Sequence, residues 1–237
     1  LDDKHIFYSK LDRHHRAREI YRHKIGTPVK NDQLIYKEKD QGFTCGIGIS
    51  SDEKYYIIGT SDHTTSEVYF FDAKELNPKP KLFKKRQKEI KYSVDSWKEN
   101  FFIHTNLDAE DFKICVCKQK NIEKWEDYIP AAKGVLIGGA NLLNDWMVRS
   151  EIRNALAKLY VRNLNTNEEE ELIITDEKVI SPGVSLMQKD RKTNKLYVAY
   201  HSPKTPGKTY VYDIVSKEKK LVKEEIVPSG HQPDDYI

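Results

Sequence analysis

Short runs rich in Tyr, Phe, Ile and Val recur along this chain at a nearly fixed period, and no other feature restricts its fold as much. HIFYSK, KYYIIGTS, NFFIHTN, DWMVRS and KLYVAYHS carry Phe7, Tyr56, Phe102, Met147 and Tyr197 at equivalent places, 49, 46, 45 and 50 residues apart. A second series, EIYRHK, EVYFFD, FKICVC, KLYVRN and KTYVYD, is anchored at Tyr21, Tyr69, Ile114, Tyr160 and Tyr210, with spacings of 48, 45, 46 and 50. A third, weaker series follows in QLIYKE, PKLFKK, EDYIPA, ELIITD and KLVKEE, and one further segment precedes units two to five, in FTCGIGIS, KYSVDSW, VLIGGANLL and ISPGVSLM. A period of this length marks a repeat architecture, in which each unit buries its apolar face against its neighbours.

Four strand-like segments per unit, joined by turn-prone pairs such as SD, NP, TN and PG, predict antiparallel meanders. The fold class expected is all-β, a β-propeller seen as a partial arc of about five four-stranded antiparallel blades, the first lacking its opening strand. A β-helix or a pair of sandwiches fits the four-per-unit grouping less well. The expected blades are 1–40, 41–88, 89–133, 134–178 and 179–227, with 228–237 a linker. An arc leaves faces open at its ends, so Ile6 and Tyr8 in the first unit, and Leu196 and Val198 or their alternating partners in the last, are expected near exposed surface. Self-association of the chain through those ends follows.

Composition narrows the partners. With 38% hydrophobic and 32% charged residues the chain reads as soluble and globular, and 40 basic against 37 acidic residues is too even a balance to call for a polyanion. Nucleic acid is therefore not an expected partner. No apolar run is long enough to span a bilayer, and the first ten residues, LDDKHIFYSK, lack an export-signal core. The three cysteines, Cys45, Cys115 and Cys117, form no disulfide framework, which predicts a reducing, cytoplasmic location. The chain opens on Leu1 inside a strand-like run, so its start reads as a cut.

Four local features invite a chemical reading. The stretch DRHHRAREIYRHKIG, from Asp12 to Gly26, is rich in His and Arg, but His14 and His15 adjoin in a turn where no third ligand completes a metal set. Cys115 and Cys117 share one face of the strand KICVCK and read as small packing residues. The basic run from Lys79 to Lys91 coincides with an outermost strand and the link after it, a solvated edge. Gly46 and Gly48 of CGIGIS lack the rest of a phosphate loop, and are expected to allow tight packing near a propeller axis. No nucleophile elbow, H-E-x-x-H or Walker loop is present, so no catalytic residue, cofactor or metal is expected in this chain.

The ordered set REIYRHKIGTP…LIYKEKD, TTSEVYFFDA, KYSVDSW, EDFKI, WEDYIPA and SPKTPGKTYVYDI…EIVPSGHQPDDY resembles the propeller of the oligopeptidase B group in the prolyl oligopeptidase family of serine peptidases. The resemblance covers nearly the whole chain, with VLIGGANLL to ELIITDE matching in outline only. It implies five of seven blades that cap an α/β-hydrolase catalytic domain bearing Ser, Asp and His, none of which maps onto a position here. It further implies a cap that admits short peptides to a peptidase acting after Arg or Lys, and a hinge to the catalytic domain at Pro228, Gly230 and Pro233. Two rival readings are a stand-alone interaction propeller, whose WD and repeated Gly-Gly signatures are missing, and a weak nucleic-acid binder built on Lys79 to Lys91. As a solvated turn, His14 and His15 should tolerate joint replacement by Ala with a stability change within about 0.5 kcal/mol. Thermal unfolding with and without added zinc checks this.

Overall fold

The computed structural model describes residues 3–75, 77–186 and 191–236, with the backbone alone at 184–186 and 234. The chain packs as two compact units, Leu1–Pro130 and Ala131–Ile237. The first holds three antiparallel sheets: β1 (His5–Leu11), β2 (Ala17–Lys24) and β3 (Gln33–Lys37); β4 (Thr44–Ile49), β5 (Tyr55–Ser61), β6 (Ser66–Asp72) and β7 (Lys81–Lys84); and β8 (Tyr92–Trp97), β9 (Asn100–Thr105), β10 (Lys113–Lys118) and β11 (Glu126–Ile129). The second holds two: β12 (Val135–Leu143), β13 (Trp146–Arg153), β14 (Leu156–Asn163) and β15 (Glu169–Glu171); and β16 (Ser181–Leu186), β17 (Lys195–His201), β18 (Lys208–Asp213) and β19 (Lys219–Glu224). Each sheet is a meander of sequential neighbours, and the first has three strands, as the repeat predicted.

Turn chemistry explains where the strands reverse. Asp62, Asn163 and Asp213 each accept backbone N–H groups two and three residues on, closing Asx turns between strands. Asn144 and Asn154 take positive φ in other turns, and Asn167 does so in the turn that Asn163 closes, a conformation Asn tolerates better than most residues. A register shift recurs between the third and fourth strand positions, at Ile20/Tyr21, Val68/Tyr69, Ile114/Cys115 and Thr209/Tyr210. The second aromatic series thus marks a repeated bulge, which sharpens the twist of each sheet. Gly138 sits in another such irregularity, where a Cβ would lie 2.2 Å from Ser150 Oγ. Only glycine fits there.

Alternation places the core between sheets. Ile20, Ile35, Cys45, Ile58 and Phe71 are buried together between the first sheet and the second. Val68, Phe83, Phe101, Ile103, Cys115 and Cys117 do the same between the second and the third. In the second unit, Leu159, Val161, Leu172, Ile174, Leu196 and Val198 fill the space between its two sheets.

Leu196 and Val198 are fully buried, so in the last unit it is their alternating partners, Tyr197 and Ala199, that lie on the more open face; Ile6, at 51% exposure, is on the open side of the first sheet as expected. Three expectations need correction. Gly46 and Gly48 are not crowded, since a Cβ at either would meet nothing within 4 Å. The run from Lys79 to Lys91 is no plain solvated edge: Phe83 is 1% exposed and the Lys84 ammonium lies 4.2 Å from the Trp125 ring centroid. In ELIITD the strand ends at Glu171, and Leu172 continues only through its N–H to Leu159 O at 2.8 Å, because Leu172 and Ile174 turn into the core. Phe83→Ala should cost about 3–5 kcal/mol by leaving a cavity. Leu82→Ala, at a 40% exposed neighbour, should stay within about 0.5–1 kcal/mol. Urea unfolding of both variants reads the contrast.

Candidate functional site

The connections of each sheet gather at one end. Lys37 at the close of β3 pairs with Glu19 near the start of β2, and Lys84 at the close of β7 pairs with Val68 near the start of β6. The links to the next sheet therefore leave beside the β1–β2 and β5–β6 hairpins. In the first unit this end carries a buried polar girdle built from two such connections and the start of β6.

Glu38, just past β3, accepts hydrogen bonds at Oε2 from Thr60 Oγ1 (2.6 Å), Arg86 Nη2 (2.7 Å) and Tyr36 Oη (3.0 Å), and at Oε1 from the Asp40 N–H (2.9 Å). Glu67, at the start of β6, accepts from Arg86 N–H at Oε1 (2.9 Å) and from Arg86 Nε (3.1 Å), Nη2 (2.9 Å) and Tyr69 Oη (2.8 Å) at Oε2. The Arg86 guanidinium also lies 4.0 Å from the Phe43 ring centroid. Both carboxylates are nearly inaccessible, with side chains 3% and 6% exposed. Burial works against the charge of Glu38, yet the hydrogen bonds from Thr60, Asp40, Arg86 and Tyr36 outweigh it and bring its carboxyl down to about 2. Glu67 is likewise lowered, its bonds from Arg86 prevailing over burial.

The residues singled out from the sequence lie elsewhere. His14 and His15 are exposed in the β1–β2 turn, whose shape is set by Asp12 Oδ1 accepting from the His14 and Arg16 N–H groups. Burial raises the thiols of Cys45, Cys115 and Cys117 to about 11, which removes them as nucleophiles at neutral pH. Among the described residues no group of His, Cys, Asp and Glu is arranged to hold a metal ion. Pro228, Gly230 and Pro233 are exposed in the segment after β19, where the Gly230 N–H closes a turn onto Val227 O at φ 87° and Pro233 opens a short 3-10 turn. That segment departs beside the β17–β18 hairpin, because Glu224 pairs with Lys208 and the Glu225 N–H reaches Gly207 O at 2.8 Å. Sequence reasoning missed the Glu38–Glu67–Arg86 girdle. Its members stand as much as 48 residues apart, and Arg86 is hidden among basic neighbours.

A family model described as the prolyl oligopeptidase N-terminal β-propeller domain matches residues 1–225. Protease 2 of Moraxella lacunata is 26% identical over 230 residues, a match covering 97% of this chain and 32% of the relative. Dipeptidyl aminopeptidase BI of Pseudoxanthomonas mexicana is 28% identical over 227 residues, covering 93% of this chain and 30% of the relative. The solved oligopeptidase B of Trypanosoma brucei, in a closed form with covalently bound antipain, superimposes with a TM-score of 0.92 at 27% identity, over 100% of this chain and 35% of that one. The chain thus spans about a third of the length of these relatives. Among the described residues no helix is long and apolar enough to cross a membrane.

The girdle sets a pH signature. Because the folded Glu38 carboxyl lies near 2 against an ordinary 4.5, its contribution is fully present above 4.5 and is lost as pH falls towards 2, roughly 3 kcal/mol in all. Arg86→Met strands two buried carboxylates and should lose about 3–5 kcal/mol at neutral pH. That deficit should shrink on acidification, which chemical unfolding across a pH series measures.

Proposed function

This chain belongs to the prolyl oligopeptidase N-terminal β-propeller family, and from that premise we propose that it is the gating, size-selecting cap of a longer serine oligopeptidase that hydrolyses short peptides after Arg or Lys. The observation that carries the reading is the family match over residues 1–225 in a chain that spans only 30–35% of its relatives. The catalytic Ser, Asp and His then reside in an α/β-hydrolase domain outside these 237 residues. A triad enclosed under such a cap is sheltered from folded proteins, and motion between cap and catalytic domain controls admission and release. Size selection in this scheme rests on enclosure, so no single propeller side chain has to recognise the substrate. The location we assign is cytoplasmic.

In this reading 1–227 is propeller, divided at 40, 88, 133 and 178, and 228–237 is the linker to the catalytic domain, with Pro228, Gly230 and Pro233 as its hinge. The placement of that segment beside the β17–β18 hairpin supports the assignment, since it puts the departing chain on the end of the sheet that carries the connections. Gly230 has the positive φ that a replacement side chain would resist. The open face of the first sheet, with Ile6 and Leu34 at 51% and 46% exposure, supports association of the isolated chain with itself.

The 237-residue chain should neither hydrolyse Arg- or Lys-containing chromogenic peptides nor react with a fluorophosphonate serine probe, whereas the longer protein should do both and spare folded proteins. Stoichiometric labelling of the isolated chain overturns the reading. In the longer protein, Gly230→Val should change kcat and KM together on short peptides. Sedimentation of the isolated chain over a concentration series should show association, and a clean monomer at tens of micromolar counts against open end faces.

A further inference from the structure

The space between the β4–β7 and β8–β11 sheets is not filled throughout. Tyr55 and Ile57 of β5 join the core shared with Phe101, Ile103 and Val94, so Gly59, two residues beyond Ile57, looks to the same side. A Cβ on Gly59 would meet nothing within 4 Å, and the same is true of Gly46 and Gly48, the cross-strand partners of Gly59 and Ile57. Three side chains are therefore missing from this face of the sheet. Of the three glycines, Gly59 lines a groove of about 500 Å³, to which Ile57, Val68, Val94 and Phe112 give apolar surface and Lys91 and His104 polar groups. That volume is within the roughly 300–1,000 Å³ usual for small-ligand sites.

Two further observations bear on an occupant. Phe112 holds φ at 66°, a costly conformation for an aromatic residue, and its ring stacks on His104 with centroids 4.7 Å apart and planes 17° apart. Backbone strain is thus spent on fixing an aromatic surface in the lining. Two residues with full charges line the groove, Lys91 and Glu67. Glu67 has both oxygens occupied by Arg86, which it shares with Glu38, and by Tyr69. Among the described residues the Lys91 ammonium has no ion pair, and only the Lys91 backbone is tied down, by Asn106 and Thr105. Lys91 is thus the charged group of the groove whose side chain is left open to a ligand, and it stands beside an apolar wall.

We propose that this groove binds the C-terminal end of a short peptide, with the carboxylate on Lys91 and an apolar side chain against Ile57, Val94 and Phe112. The choice of a peptide over another amphipathic carboxylate rests on the oligopeptidase reading; the preference for an anion does not. Calorimetric titration of the 237-residue chain with N-acetyl-Ala-Leu, and with the same dipeptide as its C-terminal amide, tests it. The free acid should bind saturably and the amide about tenfold more weakly, the loss of one charge-assisted hydrogen bond. Lys91→Gln should reduce the acid to the level of the amide. Gly59→Val should fill the space with a residue that favours strands, so Tm should hold or rise while binding disappears. Equal binding of acid and amide, no binding at millimolar peptide, or a drop in Tm for Gly59→Val overturns the site. Hexanoate binding as tightly as the peptide overturns the peptide assignment while upholding the anion site. Labelling and cleavage by the longer protein test the capping role separately, so either idea can fail alone.

Discussion

Burial of aromatic and aliphatic side chains between successive sheets is the interaction on which the rest of this structure depends. A single four-stranded meander presents two faces and can cover neither by itself, so its stability comes from the sheet beside it. Around Phe83 this takes the form of rings from two sheets meeting edge to face: Phe83 and Phe101 have centroids 5.2 Å apart at 89°, and Phe70 approaches both. Such pairs add directional preference to area burial, which fixes how one sheet lies on the next. The positions that deliver these rings are the same ones that make the repeat visible as a sequence pattern.

The polar girdle refines what the apolar contacts establish. Glu38, Glu67 and Arg86 come from the link after the first sheet, the second sheet itself and the link after it, so their mutual bonds define where three consecutive pieces of chain cross. A buried ion cluster is poor evidence of net stabilisation, because desolvation offsets much of the attraction. Its consequence is that any arrangement separating the partners leaves charge uncompensated, and that raises the free energy of alternative sheet packings. The connections that bear the girdle lie at the same end of the sheets as the hairpins.

How much was legible in the sequence varies with the range of the interaction. The strands, their grouping in fours and the short first sheet follow from residues within one repeat, because alternation and turn chemistry act over two to five positions. The exposed turn at His14 and His15 and the burial of Cys115 and Cys117 were readable for the same reason. The end of β15 at Glu171 was not, since whether Leu172 pairs or turns inward depends on the core it meets. The glycines of CGIGIS misled for a related cause: a missing side chain signals either close approach or empty space, and the neighbouring sheet decides between them.

What the sequence by itself determined is the kind of unit, its number and the absence of recognisable catalytic motifs, along with a family resemblance carried by short ordered segments. What only the tertiary structure decided is which residues from different repeats meet: Arg86 with Glu38 across 48 positions, Gly46 and Gly59 on one bare face, and Leu196 on the covered side of its sheet rather than the open one. The physical reason is that strand formation and turns are set by local backbone preference and alternation, whereas charge pairing and cavities are set by the separation of groups brought together only when the sheets pack.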